Sequence, residues 1–107
     1  LGEFRSVLSR HRATPLADET LLHIGDLYTL LGRYPDAIAA YDSLLGGFPE
    51  SISLDRTMMK KARVEELGLK DAARAIATYG RLLEGFPGSI YVSEARKRIR
   101  TLRGDSL

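Results

Sequence analysis

AIAAYDSLLGGFPESI, residues 37–52, and AIATYGRLLEGFPGSI, residues 75–90, are two copies of one segment. Eleven of the sixteen positions are identical, from Ala37/Ala75 and Ile38/Ile76 through Tyr41/Tyr79 to Phe48/Phe86, Pro49/Pro87, Ser51/Ser89 and Ile52/Ile90. Self-similarity at a fixed spacing marks a repeat architecture. A weaker copy lies upstream, where Phe4, Val7, Leu8 and His11 match Tyr41, Leu44, Leu45 and Phe48, and Arg12 stands in place of the proline. Within the segment, Ala37, Ile38, Tyr41, Leu44, Leu45 and Phe48 form a single stripe at helical spacing. Pro35 suits a first helical turn, where its missing N–H costs nothing, while Gly46-Gly47 loosen the helix and Pro49 forbids its continuation.

A second kind of helix separates the copies. Thr14-Pro15 reads as an N-cap followed by proline at the first helical position, and Asp18 and Glu19 favour the positive end of the helix dipole. Leu21, Ile24, Gly25, Tyr28 and Leu31 make its stripe, and Gly32 stops it. Ser51 and Ser89 are placed to cap the later helices of this kind. The pattern predicts an all-α chain of about six helices, near residues 2–12, 16–31, 35–47, 52–67, 71–85 and 89–103, with no strand-like alternation.

Composition narrows the function. With 44 % apolar and 28 % charged residues, the 107-residue chain has an ordinary globular balance. It has no cysteine, hence no disulfide framework, thiolate metal site or cysteine nucleophile. No apolar run approaches the ~18 residues that span a bilayer. A net charge of +2 does not point to nucleic acid.

The repeated residues resemble the tetratricopeptide repeat, a helix–turn–helix unit of about 34 residues. Leu21, Ile24, Gly25 and Tyr28 fall on that family's large, large, small and aromatic positions in its first helix, A. Ala37, Tyr41 and Pro49 fall on the small, aromatic and proline positions of its second helix, B. The period of 37–38 is longer than the family's, and the second repeat has Ala62 for the glycine, Glu65 for the aromatic, and a longer turn through Gly68-Leu69-Lys70-Asp71. The resemblance implies helical hairpins stacked as a right-handed α-solenoid in a single domain, 1–107. Its parts would be a partial first repeat (1–13, helix B only), repeats 14–50 and 51–88, and a C-terminal capping helix (89–107). The LLxxFPxS pattern is most similar to bacterial cell-envelope members in the style of the Tol–Pal accessory protein and the barrel-assembly lipoprotein, which would place the chain in the periplasm or cell envelope, with the cytoplasm as the alternative.

Stacking such pairs buries a continuous core that one pair cannot bury alone. Gly25, Ala37 and Ala75 should let helices approach closely. The partial first copy should leave Phe4, Val7 and Leu8 covered on one side only, as in a piece of a longer protein or in a homo-oligomer. The last helix, with Arg96, Lys97, Arg98, Arg100 and Arg103 against Glu94, reads as a solvated cap.

Catalytic and metal-binding patterns are missing from the sequence. His11 and His23 have no ligand-spaced partners, the serines sit in no nucleophile elbow, and Gly46-Gly47 lacks the Lys-Ser/Thr of a phosphate loop. Glu65-Glu66 reads as part of a solvated face, and Met58-Met59 as core filler. No cofactor is expected. The resemblance implies a non-catalytic module that binds a protein or peptide segment in a concave groove lined by the A helices. The groove positions are Glu19, Leu22, His23, Asp26, Thr29 and Leu30, then Arg56, Met59, Lys60, Arg63, Glu66 and Leu67. Leu22 and Asp26 stand where the family's carboxylate clamp carries lysine and asparagine. The alternative is a self-assembly element whose repeat ends stack on further copies.

Overall fold

The computed structural model describes residues 17–104. The expected helix at 2–12, the Thr14-Pro15 cap, His11 and the apolar trio Phe4, Val7 and Leu8 lie outside them. The described residues form α1 (Ala17–Leu30), α2 (Tyr34–Gly47), α3 (Leu54–Arg63), a π-helical turn (Val64–Gly68), α4 (Ala72–Gly85) and α5 (Val92–Arg103). No strand occurs among them. Each helix packs on the next in the chain, which makes the stack an α-solenoid of helical hairpins.

The punctuation follows the sequence at most boundaries. Gly32 takes φ +74° after α1, so that the Arg33 N–H reaches the Tyr28 carbonyl at 2.9 Å, the closure a glycine permits at a helix end. Pro35 stands in the first turn of α2. Helices α2 and α4 stop alike, with the Phe48 and Phe86 N–H groups donating to Leu44 and Leu82 before the prolines. Asp71 caps α4 by accepting from the Arg74 N–H at 3.1 Å.

Two expectations fail here. Ser51 and Ser89 cap no helix, since α3 and α5 begin at Leu54 and Val92. Each hydroxyl instead donates to a first-turn aspartate of the preceding A helix, Ser51 to Asp18 at 2.5 Å and Ser89 to Asp55 at 2.7 Å. Each also accepts a backbone N–H two residues on, so it pins a loop to the previous repeat. Glu65, expected on a solvated face, is 2 % exposed. It accepts from Thr78, and Arg74 lies 3.6 Å away.

Glu65 lies in the π turn, Val64–Gly68. The spacing from Asp18 to Tyr41 is one residue shorter than that from Asp55 to Tyr79. The sequence suggests a longer turn, but the extra residue lies inside the helix, where the Leu69 N–H bonds the Val64 carbonyl five positions back. Glu65 itself stands where the first repeat has Tyr28, a side chain packed against the core, so the helix register carries it inward.

The core lies in two clusters along the stack. The first joins Leu21, Leu22, Ala37, Ile38, Ala40, Tyr41 and Leu44 with Val64, which belongs to the next repeat. The second joins Met59, Ala62, Ala75, Tyr79, Leu82 and Ala95, the last of these from α5. Each cluster thus borrows a side chain from the following A helix, and neighbouring repeats stabilise one another. Close approach is real at Gly25: a Cβ there would stand 2.3 Å from the Tyr41 ring. On α5 the positions matching buried Met59 and Ala62 are Lys97 and Arg100, both exposed.

Candidate functional site

Helices α1, α3 and α5 are the A helices, and the space between successive members is open. The first hollow, about 440 Å³, lies between α1 and α3. Its walls are Asp26, Thr29, Leu30, Lys60, Arg63, Leu67 and Gly68, and Tyr34, Tyr41 and Val64 close its floor. The next hollow, between α3 and α5, is lined by Arg63, Glu66, Leu67, Tyr79, Glu94 and Arg98. A third continues over α5 with Ser93, Glu94, Lys97 and Arg98. Arg63 and Leu67 border the first two, and Glu94 and Arg98 the last two, so the three form one continuous groove.

Each of the first two hollows is built around a tyrosine hydroxyl held by a carboxylate. Tyr41 donates to Asp26 Oδ1 at 2.6 Å, with Thr29 Oγ1 3.4 Å away, and Lys60 Nζ lies 3.2 Å from the same carboxylate. Tyr79 donates to Glu66 Oε1 at 2.8 Å, and Arg98 grips both Glu66 oxygens as a fork. Arg63 crosses to Glu94 at 2.7 Å. Burial and the bond to a carboxylate push both tyrosines well above the ordinary phenol range. Burial alone would raise the Glu66 carboxyl, but the bonds from Arg98 and Tyr79 outweigh it and hold it below the usual glutamate value. These hydroxyls are locked in the neutral form, and each carboxylate in the groove is occupied by a cation. The arrangement suits a preformed binding surface; it presents no activated nucleophile.

The expected groove residues divide into three sets. Asp26, Thr29, Leu30, Lys60, Arg63, Glu66 and Leu67 line the hollows. Glu19, His23 and Arg56 are exposed but stand outside them. Leu22 and Met59 do not belong to the groove: at 6 % and 1 % exposure they are core, because they face their own B helices. A stripe that is apolar on two sides cannot tell groove from core by spacing. Tyr34, Val64, Gly68, Lys97 and Arg98 were not foreseen. Tyr34 opens α2 and Gly68 closes the π turn of the next A helix, and spacing does not bring them together; a Cβ on Gly68 would stand 2.6 Å from the Tyr34 ring.

Among the described residues, no cluster of three or more His, Cys, Asp or Glu is placed to hold a metal, and no helix is long and apolar enough to cross a membrane. The family model described as "Tetratricopeptide repeat" matches residues 19–51 and 56–89, together more than half of the chain. No curated protein and no solved structure matches it. The match is to the repeat itself and carries no cell-envelope assignment. Matched repeats, the stacked hairpins and the glycine-to-tyrosine contact agree: the chain belongs to the tetratricopeptide repeat family.

Proposed function

We propose that the chain is a non-catalytic interaction module that captures a segment of a partner protein along the groove of α1, α3 and α5. One observation carries this reading. Leu30 and Leu67, 82 % and 68 % exposed, face the same hollow from successive repeats, where apolar surface contributes nothing to the fold. A preformed hollow with a few fixed polar groups is the usual form of a recognition site. Selection from a random peptide library tests it. The wild-type chain should enrich a sequence class that Leu30→Asp/Leu67→Asp does not, with the two proteins melting at similar temperatures. Equal enrichment by both would move the partner site elsewhere.

A second reading, self-association, has its own observation. Leu27 on α1 and Leu31 just after it are 59 % and 69 % exposed, whereas Val64, the counterpart of Leu27, is buried in the first core. Sedimentation over a concentration series separates the readings, since a monomer at high concentration removes this one. The envelope location rests on the LLxxFPxS resemblance alone, and cell fractionation tests it.

A further inference from the structure

The groove differs at its two ends. At the α1–α3 end the free surface is apolar: Leu30 and Leu67 stand exposed above Tyr34 and Val64. Helix α1 carries Asp18, Glu19 and Asp26 and no lysine or arginine. At the α5 end the free surface is cationic. The three groove carboxylates Asp26, Glu66 and Glu94 are already matched by Lys60, Arg98 and Arg63. The charge left over is the Lys97 ammonium, which has no ion pair among the described residues, with exposed Arg100 three residues on along the same helix. The groove is therefore saturated with respect to its own charges, and what it lacks is an apolar side chain at one end and negative charge at the other.

We propose that the captured segment is bipartite: an apolar side chain seated between Leu30 and Leu67, and carboxylates lying over Lys97 and the neighbouring Arg100. This rests on the groove being the partner site. The spacing follows from the helices. Directly packed helices lie about 8–10 Å apart; hollows separate α1, α3 and α5, so their successive axes lie at least that far apart, and the anchor sits midway between α1 and α3, one and a half spacings from α5. At about 3.3 Å per extended residue, that separates anchor from acid by at least about four residues. The unpaired cation on α5 fixes the direction, because the acidic end of the segment is drawn to Lys97, whereas the α1–α3 end offers no free cation. A nucleic acid fits less well. Bases need exposed aromatic faces, and the Tyr41 and Tyr79 rings are buried with their hydroxyls tied to Asp26 and Glu66.

The test is fluorescence anisotropy with a labelled peptide bearing one leucine, a Gly/Ser spacer of about four residues, and three glutamates. Companion peptides replace the leucine by serine or the glutamates by lysines. The leucine–glutamate peptide should bind at least about tenfold more tightly than either companion, a difference of about 1.4 kcal/mol. Binding should weaken with salt. Lys97→Glu/Arg100→Glu should reverse the preference between glutamate and lysine peptides, and Leu67→Asp should remove the advantage of the leucine. Both sets of positions are exposed, and unchanged melting temperatures show that the variants are folded. If glutamate and lysine peptides bind equally and both fail on Leu67→Asp, the groove stands and the acidic partner falls. If no peptide binds and the library selection also fails, the groove itself falls. Tighter binding of a single-stranded oligonucleotide than of the leucine–glutamate peptide overturns the proposal in favour of a phosphate ligand.

Discussion

The first and second repeats place the same device at the same point with different residues. In the first, Tyr41 donates to Asp26, and the cation comes from Lys60 of the next A helix. In the second, Tyr79 donates to Glu66, and the cation comes from Arg98 of the next A helix. The tyrosines and cations keep a spacing of 38, but the carboxylate moves by 40. The π turn makes that shift possible, and the longer glutamate side chain completes the reach. What repeats is a relation between three helices, not an identity at each position. A buried tyrosine needs a partner for its hydroxyl, and a partner carboxylate taken partly out of water needs a cation. Any pair of residues that meets both demands keeps the neighbouring repeats in register.

If the comparison is right, the two tyrosines are equivalent anchors. Tyr41→Ala and Tyr79→Ala should each cost about 3–5 kcal/mol in chemical denaturation, since both rings are fully buried and each truncation leaves a cavity beside a carboxylate. A near-neutral result at either site would show that its repeat is organised by something other than the aromatic.

The glycines sharpen the contrast. In a helix interior Gly→Ala ordinarily stabilises by about 1 kcal/mol. At Gly25 the new methyl would meet the Tyr41 ring, which is 1 % exposed and has no room to retreat, so the substitution should destabilise by about 1–3 kcal/mol. The matching place in the second repeat already carries the methyl of Ala62, so that pair of helices accommodates it. Gly68→Ala should cost less than Gly25→Ala, because the ring it meets, Tyr34, is half-buried and can swing outward. Thermal melts of the two variants side by side give the order, and a reversed order would place the tighter contact at the π turn.

The sequence made the repeat, the helix types, the Gly25 contact and the Gly32 stop legible, because each leaves a periodic or conformational mark. The π turn left only an extra residue between Asp55 and Tyr79, and spacing alone cannot say whether a residue lengthens a loop or bulges a helix. Glu65 misled for the same reason: a glutamate reads as solvated until its partner, Thr78, is brought against it. The positions of Glu65 and Thr78 are held in the first repeat by Tyr28, packed against the first core, and Ala40, within it, so an apolar arrangement in one repeat is a hydrogen-bonded pair in the other. The groove was half legible. Asp26, Lys60, Arg63 and Glu66 could be placed by helical register, but Leu22 and Met59 lie on the border between groove and core, and only the packing of α2 and α4 decides their side.

The smallest effect tests the second repeat's carboxylate. Glu66 is held below the ordinary glutamate value, since Arg98 and Tyr79 favour its charged form more than burial opposes it. A carboxylate depressed in the folded state stabilises the protein above its unfolded value, about 4.3, and loses that contribution as pH falls through the folded value. Stability should therefore decline on acidification below about pH 4.3, and Glu66→Gln should flatten that part of the decline. The effect is modest because Arg98 is about one-third exposed and water screens the pair. Denaturant midpoints for the two proteins, at neutral pH and near pH 3, measure it. An unchanged acid slope in Glu66→Gln would mean that the fork to Arg98 does not couple α3 to α5, leaving Ala95, the Ser89–Asp55 bond and the Arg63–Glu94 pair to hold the last helix in place.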